Sequence, residues 1–248
     1  MSMNPRLLRP RASGFDPKSI SGLANWWDAS AFSTVTLNGT TVASWANRAS
    51  GPALAQETAG AQPTYTAAGV SGKNVLTFDG GDVLSASAAY STQSNTIFFV
   101  ARQNTNVPFA GVFALSPPSG NDNGNNNALL VELANTDNVL NVQRGALHSS
   151  ALSGAGLLPL SVVTVRAQAV GLLLRTNGTI ATNNTSNNFS GTSAGILVGG
   201  RFQSGAISAS FRADMTLCEI LHYTAALTDS DISRIEKYLG AKWGIAVA

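Results

Sequence analysis

Carboxylates are the groups through which this chain could do chemistry, and its glutamates are few: Glu57, Glu132, Glu219 and Glu236 in 248 residues. Two carboxyl groups about 5 Å apart, one of them kept protonated, cleave a glycosidic bond with retention of configuration. Carried on one strand, such a pair must alternate onto the same face. Neither strand-borne glutamate meets that condition. Glu132 has Leu130 and Ala134 as same-face neighbours, and Glu219 has Leu217 and Leu221, with Asp214 out of alternation. Glu57 reads as a loop residue and Glu236 as lying on the exposed side of a helix. Glu219, inside an apolar run, is expected to bond backbone or an arginine rather than to act on a substrate. His148, read as a loop residue, and His222, in a buried strand, lack a third zinc ligand and a nearby nucleophile motif. Cys218 is the one cysteine, which excludes an intrachain disulfide and suits a small core residue. No catalytic residue and no metal ligand is assigned.

Binding chemistry has better candidates. The polar run from Pro117 to Asn127 reads as a surface loop, and its Asn121, Asp122, Asn123 and Asn125 have the donors and acceptors that sugar hydroxyls need. Asp79-Gly80-Gly81-Asp82 presents two carboxylates around glycines. Calcium takes six to eight oxygens, so the motif reads as hairpin chemistry, with calcium weakly supported and no cofactor expected. Trp26, Trp27 and Trp45 are expected in the core rather than as sugar platforms. Because Trp26 and Trp27 are adjacent, they point to opposite faces of a strand, and the outer one must be covered by an arm or loop, or exposed. Arg6, Arg9, Arg11 and Lys18, interleaved with Pro5, Pro10 and Pro17, form a basic arm that could fork onto carboxylates of a neighbouring subunit.

The elements that position these residues are mostly strands. Short apolar runs bounded by turn residues recur at Leu23–Ala29, Val42–Trp45, Val75–Phe78, Asn95–Ala101, Ala110–Leu115, Leu129–Ala134, Val139–Arg144, Leu160–Ala167, Val170–Thr176 and Ile196–Phe202. Asn38-Gly39 and Asn177-Gly178 supply hairpin turns. Gly51–Gly72 lacks a period and reads as a long connection, and 183–188 as a polar loop. Met215–Tyr223 is apolar on both faces, as a covered central strand is. After it, Thr228 is placed to cap a helix with Asp229 and Asp231 in its first turn, Ile232, Ile235, Leu239 and Trp243 on its inner stripe, and Gly244 as its stop. The spacing predicts a helix over about 228–243, lying across one end or edge.

The run Cys218-Glu219-Ile220-Leu221-His222-Tyr223, then Ala226-Leu227-Thr228-Asp229, Tyr238-Leu239 and Lys242-Trp243-Gly244, resembles the C-terminal signature of laminin G-like, concanavalin A-like jelly-roll domains of bacterial and bacteriophage proteins. Ile20-Ser21-Gly22-Leu23, Trp26-Trp27-Asp28-Ala29, Val42-Ala43-Ser44-Trp45 and Leu76-Thr77-Phe78-Asp79-Gly80 are similar to the same family's opening. The resemblance implies an all-β, two-sheet antiparallel jelly-roll sandwich with one C-terminal amphipathic helix and an extended N-terminal arm. It divides the chain into an arm, 1–18, and one domain, 19–248. The superfamily includes lectins, glucanases and structural adhesion modules, so the fold does not choose among them.

Composition narrows the choice. Charged residues are 11% and the net charge is +2, which leaves no basic footprint for a nucleic-acid backbone. No apolar run is long enough to span a bilayer, and residues 1–19 lack the apolar core of a secretory signal. Synthesis in a host cytoplasm and release in a virion would reconcile this with a lectin-like sandwich. The reading is a non-enzymatic structural or adhesive module: a bacteriophage virion component such as a capsid decoration, fibre or tail-associated protein, docked by its arm onto other virion proteins. With few charges to guard its sheet edges, it is expected to self-associate as a homo-oligomer. The alternative is a carbohydrate-recognition module binding a host-surface glycan.

Overall fold

The computed structural model describes residues 14–145, 147–150, 157–188 and 190–248. Two antiparallel sheets face each other. One runs Thr64–Val70, Lys73–Asp79, Asp214–Tyr223, Asn95–Thr105, Ser161–Ala167, Val170–Thr176 and Thr179–Asn188 from edge to edge, and Leu23–Asp28 pairs the second half of Asp214–Tyr223. The other runs Val35–Asn38, Thr41–Trp45, Leu54–Ala55, Leu84–Ser87, Gly195–Val198, Gly111–Ser116, Leu129–Leu133, Leu140–Arg144 and Leu147–Ser150. Alternation along each strand sends one set of side chains between the sheets. Trp27, Phe78, Phe99, Val163 and Ile220 meet Trp45, Phe113, Leu115, Val131 and Ile196 there.

The helix α1, Asp229–Trp243, packs as a third layer rather than across an end. Its Ile232, Ile235, Leu239 and Trp243 lie on Trp26, Phe98, Val100, Val162, Cys218 and Leu221, the outward-facing residues of the first sheet. This explains why Met215–Tyr223 is apolar on both faces: one face meets the opposite sheet and the other meets α1. It also settles the adjacent tryptophans, since Trp27 fills the space between the sheets and Trp26 is covered from the helix side, with the Arg48 guanidinium 3.9 Å from its ring centre. The helix ends are as the sequence predicts. The Thr228 hydroxyl accepts from the Asp231 N–H, and Gly244 closes the helix at φ +74°.

Several local expectations give way. Within Gly51–Gly72 the chain adds strands at Leu54–Ala55, paired with Thr41–Trp45 and Leu84–Ser87, and at Thr64–Val70, paired with Lys73–Asp79, because these partners impose order that the sequence pattern does not carry. The polar stretch 183–188 continues the strand Thr179–Asn188, and His148 lies on a strand opposite Gln143 rather than in a loop. Glu236 is buried beneath α1, not exposed: it takes two bonds of 2.9 Å from Arg175 and one of 2.7 Å from the Thr164 hydroxyl, a compensated buried ion pair. No helix among the described residues is long and apolar enough to cross a membrane.

Arg6, Arg9 and Arg11 lie outside the described residues. Lys18 sits exposed on a single 3-10 turn, Pro17–Ser19, its N–H donated to the Asp16 carboxylate. Residues 15–17, counted with the arm in the sequence, pack on the domain: Phe15 lies 5.7 Å from the Tyr238 ring, and the Pro17 carbonyl accepts from the buried Tyr223 hydroxyl.

Candidate functional site

The loop 117–128 and the short hairpin Phe202–Gln203/Ala206–Ile207 meet outside the second sheet. Between them opens a cleft of 340 Å³ lined by Phe109, Asn121, Asn123, Arg201, Gln203 and Phe211. Each arrives by a different route. Phe109 precedes Gly111–Ser116, Arg201 and Gln203 follow Gly195–Val198, and Phe211 precedes Asp214–Tyr223.

The loop keeps its shape because Asp122 anchors it from inside. Asp122 is 1% exposed. Its Oδ1 accepts from Arg201 Nε and Nη2 at 3.1 and 3.0 Å, and its Oδ2 accepts from the Phe202 N–H at 2.8 Å. Arg201 also donates from Nη1 to Glu132 Oε2 at 2.6 Å and to the Phe109 carbonyl at 3.2 Å, and it lies over the Phe211 ring. Glu132 is itself held by the Gln143 amide. Burial pushes both carboxyls above the usual carboxylate range and Arg201 draws them back.

Of the four loop residues expected at a glycan surface, the structure therefore separates one from the rest. Asp122 is an internal strut whose oxygens are committed, because a carboxylate this close to the sheet is stable only when paired. Asn121 and Asn123 flank it, exposed, on the wall of the cleft, and the Asn121 Oδ1 accepts from the Ser204 N–H at 2.8 Å, which leaves its NH2 group to face the cleft. Asn125 shapes the loop: its side-chain oxygen accepts from the Asn127 N–H, and its carbonyl from Ala128 and Gly145. Phe109, Arg201, Gln203 and Phe211 were not legible as site residues, being far apart in the chain. A phenylalanine directly after Val107-Pro108, where a turn is expected, is the one signal that could have found Phe109.

Phe109 is unusual in two ways. Its backbone sits at φ +62°, a conformation costly for a bulky L-residue, and the residue is 41% exposed. The backbone is held by the Phe109 N–H donating to the Leu133 carbonyl and by Arg201 on its own carbonyl. A strained aromatic fixed at a cleft mouth is the pattern that functional sites show.

A carboxylate pair does exist, across strands rather than along one. Asp28 and Glu219 stand in register on Leu23–Asp28 and Asp214–Tyr223, and Lys242 Nζ lies 2.8 and 2.7 Å from them. Glu219 Oε1 accepts from the Trp26 indole at 2.7 Å and from Tyr238, and its Oε2 accepts from the Trp243 indole at 2.7 Å and from Lys242. Asp28 accepts from Ser30 and Arg48 as well as Lys242. Burial first, then Asp28, pushes the Glu219 carboxyl up, and Lys242 opposes this. Glu219 is fully buried, so these groups clasp α1 to the sheet and present nothing to a substrate.

In the other turn, Asp79 accepts from the Gly81 N–H and Asp82 from the Asp79 N–H, so both carboxylates serve the hairpin. No group of three or more His, Cys, Asp and Glu among the described residues could hold a metal ion. A wider groove of 750 Å³ follows α1 past Phe15, Tyr238 and Lys237. Its other cations, Arg234 and Lys242, are paired with Asp231 and with Asp28 and Glu219, and its one neutral polar side chain, Tyr238, donates its hydroxyl to Glu219.

No family model matches the chain, and no curated protein matches it. Solved structures do. Domain 4 of AbnA, a GH43 extracellular arabinanase from Geobacillus stearothermophilus, in complex with arabinotriose, is similar over 86% of this chain and 98% of its own, with a TM-score of 0.58 at 12% identity. The binding domain of Paraclostridial Mosquitocidal Protein 1 is similar over 93% of this chain and 56% of its own, with a TM-score of 0.60 at 11% identity. Trypanosoma rangeli sialidase in complex with sialic acid is similar over 90% of this chain, with a TM-score of 0.56 at 14% identity, and the chain spans only 33% of that enzyme. The shared feature is the fold. This chain is an antiparallel β-sandwich.

Proposed function

We propose that this sandwich is a non-catalytic carbohydrate-binding module whose ligand lies against Phe109 in the cleft between loop 117–128 and the 202–207 hairpin. The observation that carries the reading is the exposed, strained Phe109 facing amides of Asn121, Asn123 and Gln203 in one concavity. An aromatic ring takes the apolar face of a sugar, and amides bond its hydroxyls by donating and accepting. A similar fold in an arabinanase domain solved with arabinotriose supports this reading. The expected test is Phe109→Gly. Glycine takes φ +62° freely, so relief of about 1 kcal/mol of strain offsets the lost burial and stability changes by no more than about 1 kcal/mol. Glycan binding, measured by calorimetry on ligands chosen from an array, falls about tenfold or more. Retained binding would remove the cleft from consideration.

The second reading is the virion component, with the finer laminin G-like assignment. What favours it is the signature residues from Cys218 to Gly244, which build the strand, helix and clasp described above. It expects co-sedimentation with assembled particles and its loss when residues 1–13 are deleted, a cut that spares Phe15 and Pro17. Sedimentation of the truncated chain with particles would discard docking through the arm.

A further inference from the structure

The charge balance behind the cleft narrows what it accepts. We infer that the site prefers uncharged saccharides and discriminates against sugars that carry a carboxylate, sialic and uronic acids included; this rests on the cleft being a saccharide site. Arg201 is the cation among the lining residues, and it is not on offer. Of the five N–H donors of a guanidinium, four are committed: Nε and one Nη2 donor to Asp122, the two Nη1 donors to Glu132 and the Phe109 carbonyl. Its side chain is 8% exposed, and the two carboxylates are 0% and 1% exposed. Two buried carboxylates face one guanidinium, so the cluster is neutral with one of them ionised and carries −1 with both.

The remaining polar lining is Asn121, Asn123 and Gln203, all neutral amides. A sugar carboxylate entering here would exchange its water for dipoles in a field that is neutral or negative, a loss with no ion pair to offset it. Hydroxyls meet no such penalty: the Asn121 Oδ1 already accepts from the Ser204 N–H, but its NH2 group donates, and the amides of Asn123 and Gln203 match hydroxyls in both directions.

Matched ligands test this. Oligogalacturonides before and after chemical reduction of their carboxyl groups, together with neutral arabino-, galacto- and xylo-oligosaccharides and sialyllactose, are titrated into the full chain and into Phe109→Gly. The expected result is saturable binding of neutral ligands that is lost in Phe109→Gly and unchanged from about 0.05 to 0.5 M salt, with acidic counterparts at least about tenfold weaker. An acidic sugar that binds as tightly as its reduced form, and loses binding in Phe109→Gly, overturns the selectivity while keeping the cleft as the site. Binding of no saccharide at all, or binding indifferent to Phe109→Gly, overturns the saccharide site itself, and the selectivity with it.

Discussion

Replacing Glu219 by alanine is expected to destabilise the protein by roughly 3–5 kcal/mol, without contributing anything to ligand binding. The carboxylate receives the Trp26 and Trp243 indoles, Lys242 and Tyr238. Its removal leaves two buried indole N–H groups without acceptors, each costing about 1–3 kcal/mol, and opens a void under α1. Asp28 still pairs Lys242, which keeps the loss below that of an isolated buried charge. Glu219→Gln keeps the shape but turns an amide N–H toward one of the donors, so its loss is smaller than that of alanine. Urea unfolding with an unchanged m-value reads both. The same pair of variants tests the remaining enzymatic alternative. If Glu219→Gln stayed folded and abolished release of sugar from a polysaccharide that the parent cleaves, the assignment of this carboxylate to structure would fail.

His222 is expected to make the protein acid-labile. It is fully buried: the Asn25 amide donates to Nδ1 at 2.9 Å, and Nε2–H donates to Asn95 Oδ1 at 2.8 Å, which fixes a neutral imidazole. Burial pushes its pKa down from 6.5 to about 3. A depressed histidine binds fewer protons folded than unfolded. Its full contribution is therefore present above pH 6.5 and is lost as pH falls toward 3. The loss amounts to about 2 kcal/mol at pH 5 and approaches about 5 kcal/mol at the acid limit. Asp82 works in the other direction: burial raises it to about 6, so the native state holds its proton more tightly and gains stability as pH falls through that range. The difference between the parent and His222→Gln isolates the histidine. Glutamine supplies one acceptor and one donor and cannot titrate, so the stability gap between the two should close by about 2 kcal/mol from pH 7 to pH 5. A gap independent of pH would mean that His222 is charged, or exposed, in the folded state.

The fold was legible where periodicity reports burial. Strands with one face inside, the central strand apolar on both faces, and the helix from Thr228 to Gly244 all carry their patterns in the chain. What escaped are elements ordered by a partner. Thr64–Val70 exists because Lys73–Asp79 pairs with it, and Glu236 is inside because Arg175 and Thr164 wait there. The site was half legible for a similar reason. Loop composition drew attention to Asn121 and Asn123, but Asp122 looks the same as its neighbours until Arg201, far along the chain, turns it inward. The carboxylate pair was invisible to a search along single strands, because Asp28 and Glu219 meet only through antiparallel register.

The strut at Asp122 has an evolutionary consequence. Holding the loop needs one buried residue with its guanidinium partner and the Asn121 oxygen that takes the Ser204 N–H, while the exposed side chain at position 123 bears no share of the fold's internal packing. Substitutions there can drift or be selected without endangering the scaffold, so new specificities can be sampled on a body that stays folded throughout.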